Sequence, residues 1–264
     1  MKRILCALLA ALMLISFVAC TSDNGDTKTT TTTTTTTTRR QDIGTEDPGL
    51  EDEGGEGEGY AVDVWLAYGT PIVDGVWDSG VWDKAQAIEL TTVMKDNPLA
   101  TVTAYQMWDN ERLYFFFKVL DDDVAQDAEA GDWHNDGIYL YISELCSFDI
   151  TSFDSYSNGT YQFAIINQDK TVLPRYGEQD FETTDFTCQV NIVEGGIDIE
   201  FSYTPKHLEL KAGSQICLDY QYNDCTEGGT RIGCLSWFRA TDGAASPLGM
   251  GIGQLLADGE AIPE

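Results

Sequence analysis

Basic side chains are scarce in this chain: 15 Lys and Arg stand against 44 Asp and Glu, a formal net charge of -29. Residues 60–264 keep 34 of the acids and 10 of the bases, a formal -24. Such a field repels phosphate backbones and anionic lipid surfaces, which excludes nucleic acid as a partner and leaves neutral sugars and divalent cations. Histidine is scarcer still, with His134 and His207 alone, and both read as surface or loop residues. No H-E-x-x-H or G-x-S-x-G run occurs, and no spacing places two carboxylates at one cleft as a glycosidase pair requires. The chain is therefore expected not to be an enzyme. No cysteine pair has C-x-x-C spacing, which removes the basis for a zinc site or a redox motif.

One long apolar run exists, Ile4 to Val18, behind Lys2 and Arg3. With Ala19 before Cys20 it reads as an export signal over residues 1–19, too short for a spanning helix of the mature protein. Phe17-Val18-Ala19-Cys20 looks like a bacterial lipobox, in which Cys20 is acylated and becomes the new N-terminus; secretion with cleavage nearby is the alternative. The expected location is outside the cell, held to the membrane by a lipid. Residues 20–59 then hold unbroken threonine from Thr29 to Thr38, Arg39-Arg40, and a run of Asp, Glu and Gly. This composition cannot bury enough apolar surface to offset the entropy of ordering, so a disordered, solvated stalk is expected.

Residues 60–264 have the length of one β-rich domain. Period-two alternation dominates: Leu113, Phe115, Phe117 and Val119; Ile138, Leu140 and Ile142; Ile197, Ile199, Phe201 and Tyr203. This predicts strands with one face buried. Gly195-Gly196 and Glu227-Gly228-Gly229 are expected to turn hairpins, and short helical turns are expected near Ser79–Ala85 and Pro205–Glu209. The fold class that follows is all-β, an antiparallel sandwich. Five cysteines fall in this region, Cys146, Cys188, Cys217, Cys225 and Cys234; the odd count leaves at least one thiol, and spacing assigns no pairing.

Three segments carry a resemblance: GTPIVDGVWDSGVWDKA from Gly69, ATVTAYQMWDNERLYFFFKVLDDDV from Ala100, and DWHNDGIYLYIS from Asp132. Their order resembles the family 9 carbohydrate-binding modules, with "GTP-x-IDG-x-x-D-x-x-W", "A-x-V-x-x-x-WD-x-x-x-LY" and "D-x-W-x-x-D". The likeness continues through YQFAI at Tyr161, GGIDIEFSY at Gly195, ICLDYQYND at Ile216 and TRIGCLSWF at Thr230. It implies a β-sandwich of immunoglobulin-like or jelly-roll type and non-catalytic binding of polysaccharide or cell-wall glycan. Glycoside hydrolases are the implied companions, with polysaccharide breakdown as the context.

Sugars present apolar C–H faces and hydroxyl rims, so a site needs an exposed aromatic plate and planar polar groups. Trp133 suits the plate: it lies in a polar loop outside any alternating strand, and its position matches the tryptophan that stacks on sugar in the family. The polar set departs from the family pattern. Tyr139 stands where the best-known members carry glutamate, and Ala164 and Ile166 stand for arginine and asparagine, with Gln162 and Asn167 nearby. The loop Ala240–Gly251 lacks the second tryptophan. The expected contacts are Trp133, Tyr139, Gln162 and Asn167, without the family's reducing-end specificity. Trp77 and Trp82 are expected to cover the sandwich end, and Trp108 and Trp237 to fill core volume.

Asp121, Asp122, Asp123, Asp127, Glu129, Asp132 and Asp136 form the densest carboxylate cluster. Hard oxygens suit calcium, and the resemblance implies structural calcium; the alternative is a solvated charged loop with no cofactor required. Two other functions remain beside sugar binding. One is a structural or adhesive surface domain whose sugar site has decayed. The other is a haem-binding sandwich, for which Met107 and His134 are the nearest ligand candidates.

Overall fold

The computed structural model describes residues 60–125, 132–146, 159–166, 171–177, 181–226, 228–238 and 249–264. The export signal, Cys20 and the stalk expected over residues 1–59 lie outside the described residues, as do Asp127, Glu129 and Asn167. Among the described residues no helix is long and apolar enough to cross a membrane.

The architecture is nearly all strand: β1 (Val64–Tyr68), β2 (Ala87–Glu89), β3 (Thr92–Asp96), β4 (Thr101–Trp108), β5 (Leu113–Leu120), β6 (Gly137–Ser143), β7 (Thr160–Ile166), β8 (Thr171–Gly177), β9 (Phe186–Val193), β10 (Gly196–Tyr203), β11 (Gln215–Cys225), β12 (Arg231–Ser236) and β13 (Gly251–Leu255). The hydrogen-bonded order is β8-β7-β6-β11-β13-β1-β4-β5-β10-β9, with β12 beside β11, β3 beside β12 and β2 beside β4. The fold is a β-sandwich, but its sheet is mixed rather than purely antiparallel. Val64, Trp65 and Leu66 pair in parallel with β13, and Ala67 and Tyr68 pair in parallel with β4. A single strand thus serves both layers, and the sheet curls about it.

The alternation of the sequence places the core between the layers. Leu113, Phe115, Phe117 and Val119 of β5, Ile197, Ile199 and Phe201 of β10, and Ile138, Leu140 and Ile142 of β6 are buried in one cluster. Phe163 of β7 reaches across to Phe201 of β10, with ring centroids 6.0 Å apart. Each such side chain contributes about 1.5–3 kcal/mol of transfer free energy.

The opposite faces depart from the expected exposure. Tyr114 and Phe116 of β5 and Met107 of β4 are also buried, beneath a covering segment that follows β1. Trp77 and Trp82 belong to that cover, packed against Phe116 with centroids 5.3 and 5.5 Å away. They shield the outer face of β4–β5 rather than the sandwich end. Glu200, on the outward face of β10, is fully buried under them. Its carboxylate accepts the N–H groups of Asp74 (2.9 Å) and Gly75 (2.8 Å) and the indole N–H of Trp82 (2.9 Å). Gly75 sits at φ +77°, a conformation that glycine adopts without strain.

The Gly195 turn joins β9 and β10 as expected, with Val193 opposite Gly196. The short helical turn expected near Ser79–Ala85 forms over Trp82–Lys84. The one expected near Pro205–Glu209 does not form, because the N–H groups of Lys206, His207 and Leu208 point instead at the buried carboxylate of Glu144. A disulfide joins Cys146, after β6, to Cys217 of β11, while Cys188, Cys225 and Cys234 remain thiols. Cys225 lies opposite Arg231 and Cys234 opposite Asn223, so these two cysteines are not partners across their hairpin.

Glu200→Ala leaves three donors without an acceptor under a packed cover. The expected loss is about 2–4 kcal/mol in urea unfolding, with amide exchange accelerated first between Gly69 and Ala85. An unchanged exchange pattern would mean that the aromatic packing alone holds the cover.

Candidate functional site

Trp133 lies on a single 3-10 turn, Asp132–His134, immediately before β6, and its side chain is 49% exposed. The turn is held from several sides. The His134 Nδ1–H donates to the Gly229 carbonyl at 2.7 Å, and the Cys225 thiol lies 3.8 Å from the Trp133 carbonyl. Asp136 accepts the Cys225 N–H at 2.7 Å through Oδ1 and the Ala125 N–H through Oδ2. A large aromatic ring is therefore presented to solvent from an anchored backbone, so little ordering remains to be done when a ligand stacks on it.

The other expected contacts stand differently. Tyr139 of β6 is 5% exposed and Gln162 of β7 is fully buried. They share the outer face of the β6–β7–β11 layer, where Tyr139 opposes Ala164 and Tyr141 opposes Gln162. The Tyr139 hydroxyl and the Gln162 carbonyl oxygen are both buried. Burial raises the Tyr139 hydroxyl well above its ordinary value, with the Asn223 amide opposing the rise. The polar row beside it continues from Tyr141 Oη to Gln221 Oε1 (2.9 Å), and from Gln221 Nε2 to Asn223 Oδ1 (2.8 Å). This row of planar amides stands in ICLDYQYND, a segment that carries the family likeness, but the alternation alone assigned it no place at the site. Arg231 opens β12 at the same corner, half-buried, with its charge felt by both Tyr139 and Cys225. A guanidinium there supplies a planar fork of donors, and only the fold reveals that it stands near the foot of Trp133.

The acidic cluster is rearranged relative to its sequence neighbours. Asp121 and Asp136 come together with Asp224 of β11, all three buried, with a carboxylate oxygen of each within 4.8 Å of the others. Asp122 and Asp123 face solvent. Asp224 also accepts the N–H groups of Leu99 and Ala100 at 2.6 and 2.9 Å, and a cavity of about 250 Å³ opens onto Asp121 and Asp224. Burial pushes the Asp136 carboxyl up to about 8, with Asp121 and Asp224 adding to the rise against two N–H hydrogen bonds that oppose it. Three oxygen donors packed together, with no ion pair to a basic side chain among the described residues, fit a hard divalent cation. A cation would favour their charged forms and fix Asp136, hence the turn that carries Trp133.

Met107 and His134 cannot share one haem. Met107 is fully buried at the end of β4, opposite Tyr114. His134 lies at the other end, near the carboxylates that hold the start of β4, about 23 Å away at the rise of a strand.

Raised carboxyl groups stabilise a fold in their protonated form. The contribution of Asp136 is complete below its unfolded value of 3.8 and is lost as pH climbs toward about 8. In chelator, the urea midpoint is expected to fall across that window. The fall should shrink with calcium and shrink in Asp136→Asn, leaving the part owed to the other raised carboxyls Glu144, Glu200 and Asp224. A calcium-insensitive profile would remove the cluster as a cation site.

A family model described as "Carbohydrate family 9 binding domain-like" matches residues 73–256. An exoglucanase, XynX, of Acetivibrio thermocellus is 28% identical over 174 residues, which cover 64% of this chain and 15% of that protein. An endo-1,4-beta-xylanase A of Thermotoga neapolitana is 28% identical over 182 residues, covering 66% of this chain and 16% of the enzyme. The chain thus spans about one-sixth of the length of the curated relatives it matches. Among solved structures, a family 9 carbohydrate-binding module of Caldicellulosiruptor kristjanssonii in complex with cellotriose superposes with a TM-score of 0.64 at 18% identity, over 76% of this chain and 98% of that one. The same module in complex with glucose gives 0.64 over 99% of its chain.

Proposed function

The chain belongs to the carbohydrate family 9 binding domain-like family, and from that premise we propose that it is a non-catalytic polysaccharide-binding module whose platform is Trp133. The observation that carries the reading is the half-exposed indole on a tethered turn. An aromatic of that size normally hides its apolar face, whereas this one is held out to water at the position where the resemblance puts the stacking tryptophan. Ligand chemistry is drawn from similar proteins: the superposed module was solved with cellotriose and with glucose. The matched exoglucanase and xylanase share only part of their length with this chain. A β-linked neutral glycan is the proposed ligand, and catalysis is left to partner glycoside hydrolases.

The polar half of the site is proposed to rest on this chain's own groups. Arg231 lies at the Trp133 corner and Asn223 heads the amide row behind it, with Tyr139 and Gln162 as the layer beneath. Calcium at Asp121, Asp136 and Asp224 is proposed as structural support. Lipid attachment at Cys20, with residues 20–59 as a stalk, is proposed to hold the module on the outside of the cell.

Trp133→Ala is expected to weaken retention on insoluble glucan and xylan about tenfold or more, a loss of about 1.4 kcal/mol. Its exposure predicts a stability change within about 0.5 kcal/mol. Affinity electrophoresis and urea unfolding of the same preparations separate the two effects. Equal retention by both proteins would remove Trp133 from the site, and no retention by either would favour a structural or adhesive domain.

A further inference from the structure

A cavity of about 390 Å³ lies at the end of the sandwich opposite to Trp133. Its walls are Ala67 and Tyr68, at the end of β1, and Ala261 and Ile262 near the C-terminus; Lys84, Asp258 and Glu260 form its rim. Except for Lys84, these residues fall outside the span 73–256 that matches the family. The separation of the two ends follows from β4. Tyr68 pairs with Trp108 where β4 finishes, while Asp224 holds Leu99 and Ala100 just before β4 starts, which sets the ends about 23 Å apart.

We propose that this cavity is a second carbohydrate subsite, taking a neutral pyranose on the Tyr68 side of the domain. Its volume lies in the range of small-molecule sites, and its division into apolar walls and a few polar rim groups is the one such sites show. Tyr68 is fixed edge-on against the buried Trp108, with centroids 5.0 Å apart, and its hydroxyl oxygen receives a hydrogen bond from Asn110 at 3.0 Å. The phenol proton is thereby left to donate to a ligand. Glu260 spends one carboxylate oxygen on the Ala257 N–H and keeps the other. Among the described residues no ion pair joins Lys84 to Asp258 or Glu260, although all line the same cavity. A hydroxyl rim accepts from an ammonium and donates to carboxylates, so a sugar satisfies both signs while its C–H face covers Tyr68 and Ile262. An anion meets two carboxylates for one lysine. A zwitterion gains little, because Lys84 and Asp258 are exposed and ion pairs in water contribute little.

The ligand class rests on the sugar-binding reading, but the location does not, and amide shifts separate the two. The purified protein, labelled with ¹⁵N, is titrated with cellotriose and with xylotriose up to about 10 mM, tenfold above a millimolar dissociation constant. Glycine serves as the zwitterion control. The expected result is two groups of moving signals, one around the Trp133 indole and one over Tyr68 and residues 258–262. Lys84→Met with Asp258→Ala, both at exposed positions, should still the second group and leave the first. Movement of the second group alone would sustain this subsite while removing Trp133 from sugar binding. Stillness at residues 258–262 with both oligosaccharides overturns the proposal, as does an equal response to glycine or a second group unaffected by the double variant.

Discussion

Buried carboxylates that take their hydrogen bonds from backbone N–H groups are the interaction on which this structure turns. Glu200 holds the cover over β4–β5, Asp224 the approach to β4, Asp136 the two segments around Trp133, and Glu144 the bend after β10. A chain with so few basic residues cannot neutralise its acids in ion pairs. It satisfies them with donors that every peptide unit carries, two or three to each carboxylate. Such bonds are charge-assisted and stronger than neutral ones, yet burial still raises Glu144, Glu200 and Asp224 above their ordinary values. Desolvation therefore exceeds what the N–H groups return. The clamps define where loops go more than they add to stability, since breaking one strands several donors at once.

The placement of the candidate site follows from these clamps together with β1. Because β1 pairs with β13 along one half and β4 along the other, the two layers stay in register at their shared edge, and the loops at each end of the sandwich converge. At one end, Asp136 and Asp224 draw residues from after β5, before β4 and at the end of β11 into one knot. Trp133 stands on that knot. Its turn is too short to be rigid by itself, and its position is set by bonds to residues about ninety positions away. The same convergence brings three carboxylates together, and their mutual repulsion adds to the rise of Asp136.

Strand faces and hairpins were legible in the sequence because both are local. Phe115 and Phe117, or Ile197 and Ile199, announce their buried face by period two, and Gly195 its turn by conformational need. The exposure of Trp133 was legible for the opposite reason: it interrupts a polar loop where nothing local explains it. What escaped is non-local. Asp121 and Asp136 appeared to belong with Asp122 and Asp123, but proximity in the fold replaces those two with Asp224, about a hundred residues on. The bend at Lys206–Leu208 reads as a helical turn until Glu144 competes for its N–H groups. Tyr139 and Gln162 sit on the expected face, but a strand pattern says only which face a residue takes. It does not say what covers that face.

The acid excess also bears on what the surface can hold. Any ligand approaching residues 60–264 meets a negative field, so anions are disfavoured at long range whatever a local pocket offers. A neutral glycan escapes this penalty, because stacking on indole or phenol depends on the apolar C–H face and on hydroxyl groups that donate as readily as they accept. Carboxylates near such a site then become acceptors rather than liabilities. The same field would attract a cation, and one bound at Asp121, Asp136 and Asp224, as proposed, would strengthen the clamp beneath Trp133. One charge distribution is thus compatible with both proposed guests for different physical reasons: the cation by attraction, and the sugar because it carries no charge to be repelled.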